Sequence, residues 1–134
     1  MIAYLTPDDR RAIHEVALER YGGVVGEHEP GQIDFMAEKP AQELFGEEIY
    51  PGLFLKAAIY MHGFATRQFF ADGNKSTAYL SASTFLEING LTLIVSNEEL
   101  YTITMDVANG KYTEFELSEW IKENATSNSM LEKS

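Results

Sequence analysis

Residues 52–66 are apolar on nearly every side, with Leu53, Phe54, Ala57, Ala58, Ile59, Tyr60, Met61, Phe64 and Ala65 in one helix-length run. A helix apolar on most sides is surrounded by protein, so the pattern predicts a buried central helix. The neighbouring segments read as one-sided helices. Thr6 can cap the first, Pro7 suits its first position, and Asp9 completes a capping-box pattern. Ile13, Val16, Ala17 and Tyr21 then fall on one face, and Gly22-Gly23 closes the helix. Residues 22–31 hold four glycines and a proline and read as loop; a short helix follows over 31–38, stopped before Pro40. Residues 40–51 run between two prolines with Gly46 inside, which predicts a loop with extended pieces.

The next helix is predicted from Asn74 to Asn89, ending at Gly90. Its small Ala78, Ser81, Ala82 and Ser83 allow close packing, and Phe85, Leu86 and Ile88 add bulk. Leu91 to Val95 is short and β-prone, which predicts a strand. Ser96 with Glu99 and Thr113 with Glu116 repeat the capping-box spacing. Leu100, Ile103 and Val107 mark the helix after the first, ending at Gly110; Leu117, Trp120 and Ile121 mark the helix after the second. Residues 125–134 are polar and are expected to fray. The sum is an all-α fold of about six helices: one domain over residues 1–124, then a polar tail over 125–134.

Composition narrows the function. A chain of 134 residues is one domain by length. Asp and Glu number 21 against 10 Lys and Arg, for a net charge of −11, which repels nucleic acid and anionic membranes. Direct nucleic-acid binding is therefore not expected, and any nucleotide site must be locally basic. With no cysteine there is no disulfide or thiol chemistry. No apolar run approaches the roughly 20 residues of a membrane span. The N-terminus lacks a charged start followed by an apolar core, so no signal peptide is expected and the reading is cytoplasmic.

The stretch with the most chemistry is Asp72-Gly73-Asn74-Lys75, where a loop gives way to a helix. A helix start carries unpaired N–H groups and partial positive charge and attracts anions. Gly73 lets a ligand approach the backbone, Asn74 can orient a ligand or cap the helix, and Lys75 adds a point charge for phosphate. Asp72 can hold Mg²⁺, which takes one or two carboxylates plus phosphate oxygens. The same four residues are also ordinary turn-and-cap chemistry, and their types alone do not separate the two readings.

Gln68-Phe69-Phe70-Ala71-Asp72-Gly73-Asn74-Lys75-Ser76, followed by Thr77-Ala78, resembles the motif of the Fic/Doc family of death-on-curing toxins and their filamentation relatives, which reads His-Pro-Phe-x-Asp-Gly-Asn-Lys-Arg. Tyr4 to Asp9 and Arg20-Tyr21-Gly22-Gly23 resemble the Doc N-terminus. Phe45 to Pro51 with Leu53-Phe54 resembles the approach to the motif, and Phe85 to Gly90 the exit of the next helix. The likeness covers about residues 3–123. It implies a compact Fic/Doc-type helical bundle in which residues 40–51 form a flap that positions the target's segment. It also implies ATP and Mg²⁺ as cofactors, and transfer of AMP or, in Doc-type toxins, of phosphate to a protein hydroxyl. The implied partners are proteins: an antitoxin, an elongation factor or a regulator.

Carried onto this chain, the resemblance implies catalytic positions at Gln68, Asn74, Lys75 and Ser76, nucleotide binding by Gly73, Asn74 and Lys75, and metal binding by Asp72. The departures fall on the chemistry. The family's His is the base that accepts the hydroxyl proton, and a base tuned near neutrality contributes roughly 10²–10⁴ in rate. Gln68 cannot take that proton at neutral pH, although it can hold a hydroxyl or a water. Ser76 replaces an Arg whose rigid fork pairs with the triphosphate. Phe69 replaces proline. Gly26-Glu27-His28-Glu29 and Gly31-Gln32-Ile33-Asp34 lack the Arg that many Doc proteins carry. The expected function is thus that of a catalytically degenerate Doc-like protein acting through protein binding in a phage, plasmid or toxin–antitoxin context. The alternative is an active or weakened ATP-dependent phospho- or adenylyl-transferase modifying a translation protein.

The remaining candidates read as structural. His14 lies beside the apolar face of the first helix, and His28 is in a polar loop. His62, six residues before Gln68, reads as a hydrogen-bonded core histidine ahead of a substitute base. Arg67 reads as an exposed helix-end charge. No pair of histidines has metal-ligand spacing.

Overall fold

A computed structural model describes residues 2–21, 35, 36, 38–67 and 74–128. The first helix, α1 (Pro7–Tyr21), starts on the expected box. Thr6 Oγ1 accepts the Asp9 N–H at 3.0 Å, and the Asp9 carboxylate accepts the Thr6 N–H at 2.8 Å. Its inward face differs from the one the apolar pattern predicts. Arg10, His14 and Ala17 are buried, Ile13 is half-buried and Val16 is exposed. The reason is Arg10. Its guanidinium donates to the carbonyls of Leu5 at 3.2 Å and Thr6 at 3.4 Å, and lies over the rings of Tyr60 at 4.6 Å and Phe64 at 5.6 Å. Two π faces and two carbonyls make a buried cation tolerable there, and α1 is turned to place it. Burial lowers its pKa to about 10, so it stays charged at neutral pH.

Helix α2 (Leu53–Thr66) is the buried centre, covered from Lys56 to Ala65 except at His62. It packs on α3 (Asn74–Ile88), on α4 (Asn97–Ala108) and on α5 (Glu114–Asn124), while α1 lies against α3. Tyr60 joins the layers: its ring is 5.1 Å from that of Phe85, and its hydroxyl accepts the Leu5 N–H at 3.3 Å. Of the expected helix over 31–38, Phe35, Met36 and Glu38 are helical, with Met36 buried; residues 31–34 and 37 lie outside the described residues. A 3₁₀ turn, Lys39–Ala41, takes Pro40 in its opening rather than stopping short of it. Its fixed φ suits a helix start.

The capping boxes at α4 and α5 differ in detail. At α5 the exchange is complete: Thr113 Oγ1 accepts the Glu116 N–H at 3.1 Å and the Glu116 carboxylate accepts the Thr113 N–H at 3.0 Å. At α4, Ser96 Oγ accepts the Glu99 N–H at 3.0 Å, but the Glu99 carboxylate takes the Ser96 hydroxyl instead of its N–H. Helix α3 leaves through Gly90 at φ 87, a conformation that favours glycine.

Two small antiparallel sheets complete an otherwise helical fold. In the first, β1 (Glu43–Leu44) pairs with β2 (Glu47–Glu48). In the second, β3 (Leu91–Leu93) pairs with β4 (Ala125–Ser127), Leu91 opposite Ser127 and Leu93 opposite Ala125. The start of the tail, expected to fray, is thus a strand. Ile94 N–H to the Asn124 carbonyl at 2.6 Å and Asn128 N–H to the Gly90 carbonyl at 2.9 Å extend the pairing on both sides. Polar side chains give no signal for this, because main-chain groups make the ladder.

Candidate functional site

Helix α2 carries the chain to the edge of the motif. Arg67 closes it with its N–H on the Gly63 carbonyl at 3.1 Å and then turns extended, at φ −106 and ψ 138. Arg67 is exposed, as its helix-end reading expects. Gln68, Phe69, Asp72 and Gly73 lie outside the described residues, as do His28 and the segments Gly26 to Glu29 and Gly31 to Asp34. The chain is described again at Asn74, where α3 begins. Asn74, Lys75 and Ser76 therefore form its first turn, with Lys75 exposed and Asn74 and Ser76 half-buried.

That turn has the electrostatics an anion needs. Helix α3 holds 15 residues and carries no acidic side chain in its first turn, unlike α1, α4 and α5, each of which places carboxylates there. The positive end of α3 is not cancelled by its own residues, and Lys75 adds a full charge. Behind it, the hydroxyls of Thr77 and Ser81 are buried with no hydrogen-bond partner among the described residues. Metal binding is a separate matter. Among the described residues no group of His, Asp and Glu is placed to hold an ion, and Asp72, the expected metal ligand, lies outside them.

The region expected to be a flap is the β1–β2 hairpin. Its two-residue turn has Phe45 at φ 51 and Gly46 at φ 81, the twist that suits a tight hairpin. Left-handed backbone is natural for Gly46 and uncommon for Phe45. Phe45 is 97% exposed, Leu44 60% and Ile49 44%, so the hairpin holds three apolar side chains out in solvent. A second apolar surface, a groove of about 430 Å³, opens between α1 and α3 along Ile13, Val16 and Leu80. Val16, on the face the apolar pattern marks, thus lines an open groove, as does Ile13, which also packs against the core.

His62 is half-buried and hydrogen-bonded to the Tyr112 backbone, in keeping with its reading as a structural histidine. Its Nδ1 is 3.9 Å from Glu114 Oε1 at the start of α5, and Lys39 Nζ is 3.6 Å from the same oxygen. Burial pushes its pKa below the ordinary value, with the Glu114 carboxylate opposing. His14 is buried on α1. Sequence reasoning passed over Lys56, which is fully buried, with Nζ 3.0 Å from Glu48 Oε1 and donating also to the Tyr50 carbonyl. The signal was present: a lone cation inside an apolar helix has to be paired.

A model of the Fic/DOC family matches residues 4–86, from the lead into α1 through most of α3. The chain belongs to the Fic/DOC family. It is similar to "Protein kinase doc" of Escherichia phage P1, 32% identical over 108 residues that cover 81% of this chain and 84% of the relative. It is also similar to "Toxin Doc" of Mycolicibacterium smegmatis, 34% identical over 93 residues, 69% of each chain. In this Fic/Doc protein the family match takes in the hairpin, the central helix and the acid-free start of α3 together.

Proposed function

We propose that this Fic/Doc protein works chiefly by binding a protein partner, in a phage, plasmid or toxin–antitoxin context, with its transfer chemistry disabled at two positions. The observation that carries the reading is the pair Gln68 and Ser76. A transferase of this family needs a group that accepts the target hydroxyl's proton and donors that stabilise charge developing on the transferred phosphoryl group. An amide at 68 takes no proton at neutral pH, and a hydroxyl at 76 offers one neutral donor in place of a charged fork. Binding is supported by the exposed Leu44, Phe45 and Ile49 on the hairpin and by the open groove beside Val16, surfaces an antitoxin, an elongation factor or a regulator can cover. The net charge of −11 argues against a direct nucleic-acid role. A cytoplasmic location is part of this proposal; no helix among the described residues is long and apolar enough to cross a membrane.

A second reading, an active or weakened transferase using ATP and Mg²⁺, is favoured by the retained Asp72-Gly73-Asn74-Lys75 and the acid-free first turn of α3. On that reading Gly73, Asn74 and Lys75 hold the phosphates and Asp72 the ion, which would neutralise charge on the phosphate oxygens. The two readings separate when the purified protein is incubated with γ-labelled or α-labelled ATP, Mg²⁺ and a bacterial lysate, beside the Gln68→His/Ser76→Arg double variant. Label in a lysate protein from the unaltered chain sinks the binding-only reading, and the label that moves names the transferred group. Label from the double variant alone supports loss of chemistry on an intact target surface.

A further inference from the structure

A hairpin of two two-residue strands is too short to hold its own position. Something in the body of the protein has to set its pose. In this hairpin the register places Glu43 directly opposite Glu48, and Leu44 opposite Glu47. Opposed residues share a face, so one face carries two like charges side by side, which works against the pairing. Both glutamates are solvent-exposed, but Glu48 reaches back to the body of the protein, with Oε1 3.0 Å from Lys56 Nζ. Burial first, and then the Glu48 and Glu43 charges, raise the pKa of the Tyr4 hydroxyl. Leu44 and Glu47 share the opposite face. Among the described residues, the buried cation that reaches the face of Glu43 and Glu48 is Lys56 of α2. Its ammonium meets the Glu48 carboxylate at 3.0 Å and the carbonyl of Tyr50, the residue two positions beyond β2. One side chain thus binds both the returning strand and the chain that leads from it back to α2.

We infer that Lys56 is the positioning residue of the β1–β2 hairpin: it offsets the opposed Glu43 and Glu48 charges and fixes the angle at which Leu44, Phe45 and Ile49 are held out to a partner. The partner clause rests on the binding role of the hairpin proposed above; the positioning clause does not. A fully buried lysine is an expensive way to fill a core position, because methionine of similar volume needs no desolvated charge. If Lys56 served packing alone, its replacement by Met would leave the hairpin as it is. If it holds the hairpin, the same change frees the hairpin while the core stays intact.

Amide hydrogen exchange on the unliganded protein separates these. The Ile49 N–H, which bonds the Gln42 carbonyl at 3.0 Å across the base of the hairpin, is the reporter. The Ile94 and Leu117 N–H groups, bonded to the Asn124 and Thr113 carbonyls, are controls in the body of the fold. In Lys56→Met, exchange at Ile49 is expected to rise about tenfold or more with the controls unchanged. Glu48→Gln, at a half-exposed position that cannot prevent folding, is expected to raise the same reporter by several-fold. Unchanged exchange at Ile49 in both variants overturns the inference, as does a rise that the controls share in proportion. No partner is present in this experiment, so a hairpin that binds nothing leaves its outcome untouched. The partner clause is read separately, as weaker binding by Lys56→Met to whichever labelled protein the transfer experiment identifies, and unaltered binding there removes that clause alone.

Discussion

Arg10 and Lys56 are both fully buried cations, and they are held in opposite ways. Arg10 has rings and carbonyls around it: Tyr60, Phe64, Leu5 and Thr6, all in the body of the fold. Lys56 has a carboxylate and a carbonyl, both on the hairpin segment. The planar guanidinium can stack and donate in two directions at once, so it welds α1 to α2 through rings and carbonyls. The ammonium is a compact point charge, and at Lys56 it needs Glu48. One cation builds the core; the other ties an outlying element to it. Removing each should therefore fail in a different place.

The largest effect is expected at Arg10. Arg10→Ala leaves a hole under two rings and strips the Leu5 and Thr6 carbonyls of a charged donor, for a loss on the order of 3 kcal/mol. Denaturant unfolding followed by far-UV circular dichroism measures it, and a loss below about 1 kcal/mol would mean that the stack is incidental. Arg10→Lys keeps the charge but gives up the fork and the stacking, and is expected to lose about half as much. The asymmetry at the other cation is sharper. Glu48→Gln leaves the Lys56 ammonium buried beside a neutral amide, and because Glu48 is half-exposed the loss is expected at about 1–2 kcal/mol. Lys56→Met removes the buried charge altogether and is expected to fall within about 1 kcal/mol of the native protein, on either side. A Lys56→Met variant much less stable than Glu48→Gln would place Lys56 with Arg10, as part of the core.

Much of this was legible in the sequence, and the failures share a cause. The helices at 53–66, 74–88, 97–108 and 114–124 follow from apolar runs, capping residues and terminal glycines, which are local. The inward face of α1 was misjudged because a single long side chain outweighed the small apolar ones, and nothing local says that Tyr60 and Phe64 will lie beneath position 10. The strand at Ala125–Ser127 was missed because its partner, Leu91–Leu93, lies more than thirty residues away and the pairing is made by the main chain. At the motif, the start of α3 at Asn74 was legible and agrees with the structure. The absence of any carboxylate in that first turn was equally visible in the sequence, but it gains meaning only beside the three helices that do carry one.

His62 gives the smallest test, and it extends the comparison along α2 to a group that can discard its charge. Where Arg10 stays charged and Lys56 is held by Glu48, His62 is favoured as the neutral form, since burial outweighs the Glu114 carboxylate 3.9 Å from its Nδ1. A histidine whose pKa is lowered by folding takes its proton more readily in the unfolded chain. Its contribution is therefore intact above the ordinary value of about 6.5 and is lost as pH falls through that value toward the lowered one. The expected outcome is a drop in the unfolding midpoint between about pH 7.5 and about pH 5.5 that is smaller in His62→Gln than in the native protein. The opposite sign, with the native protein resisting acid better than the variant, would mean that the ion pair with Glu114 governs the site. His62 would then belong with the charged anchors, and the start of α5 would be held by the same kind of tether that Lys56 provides for the hairpin.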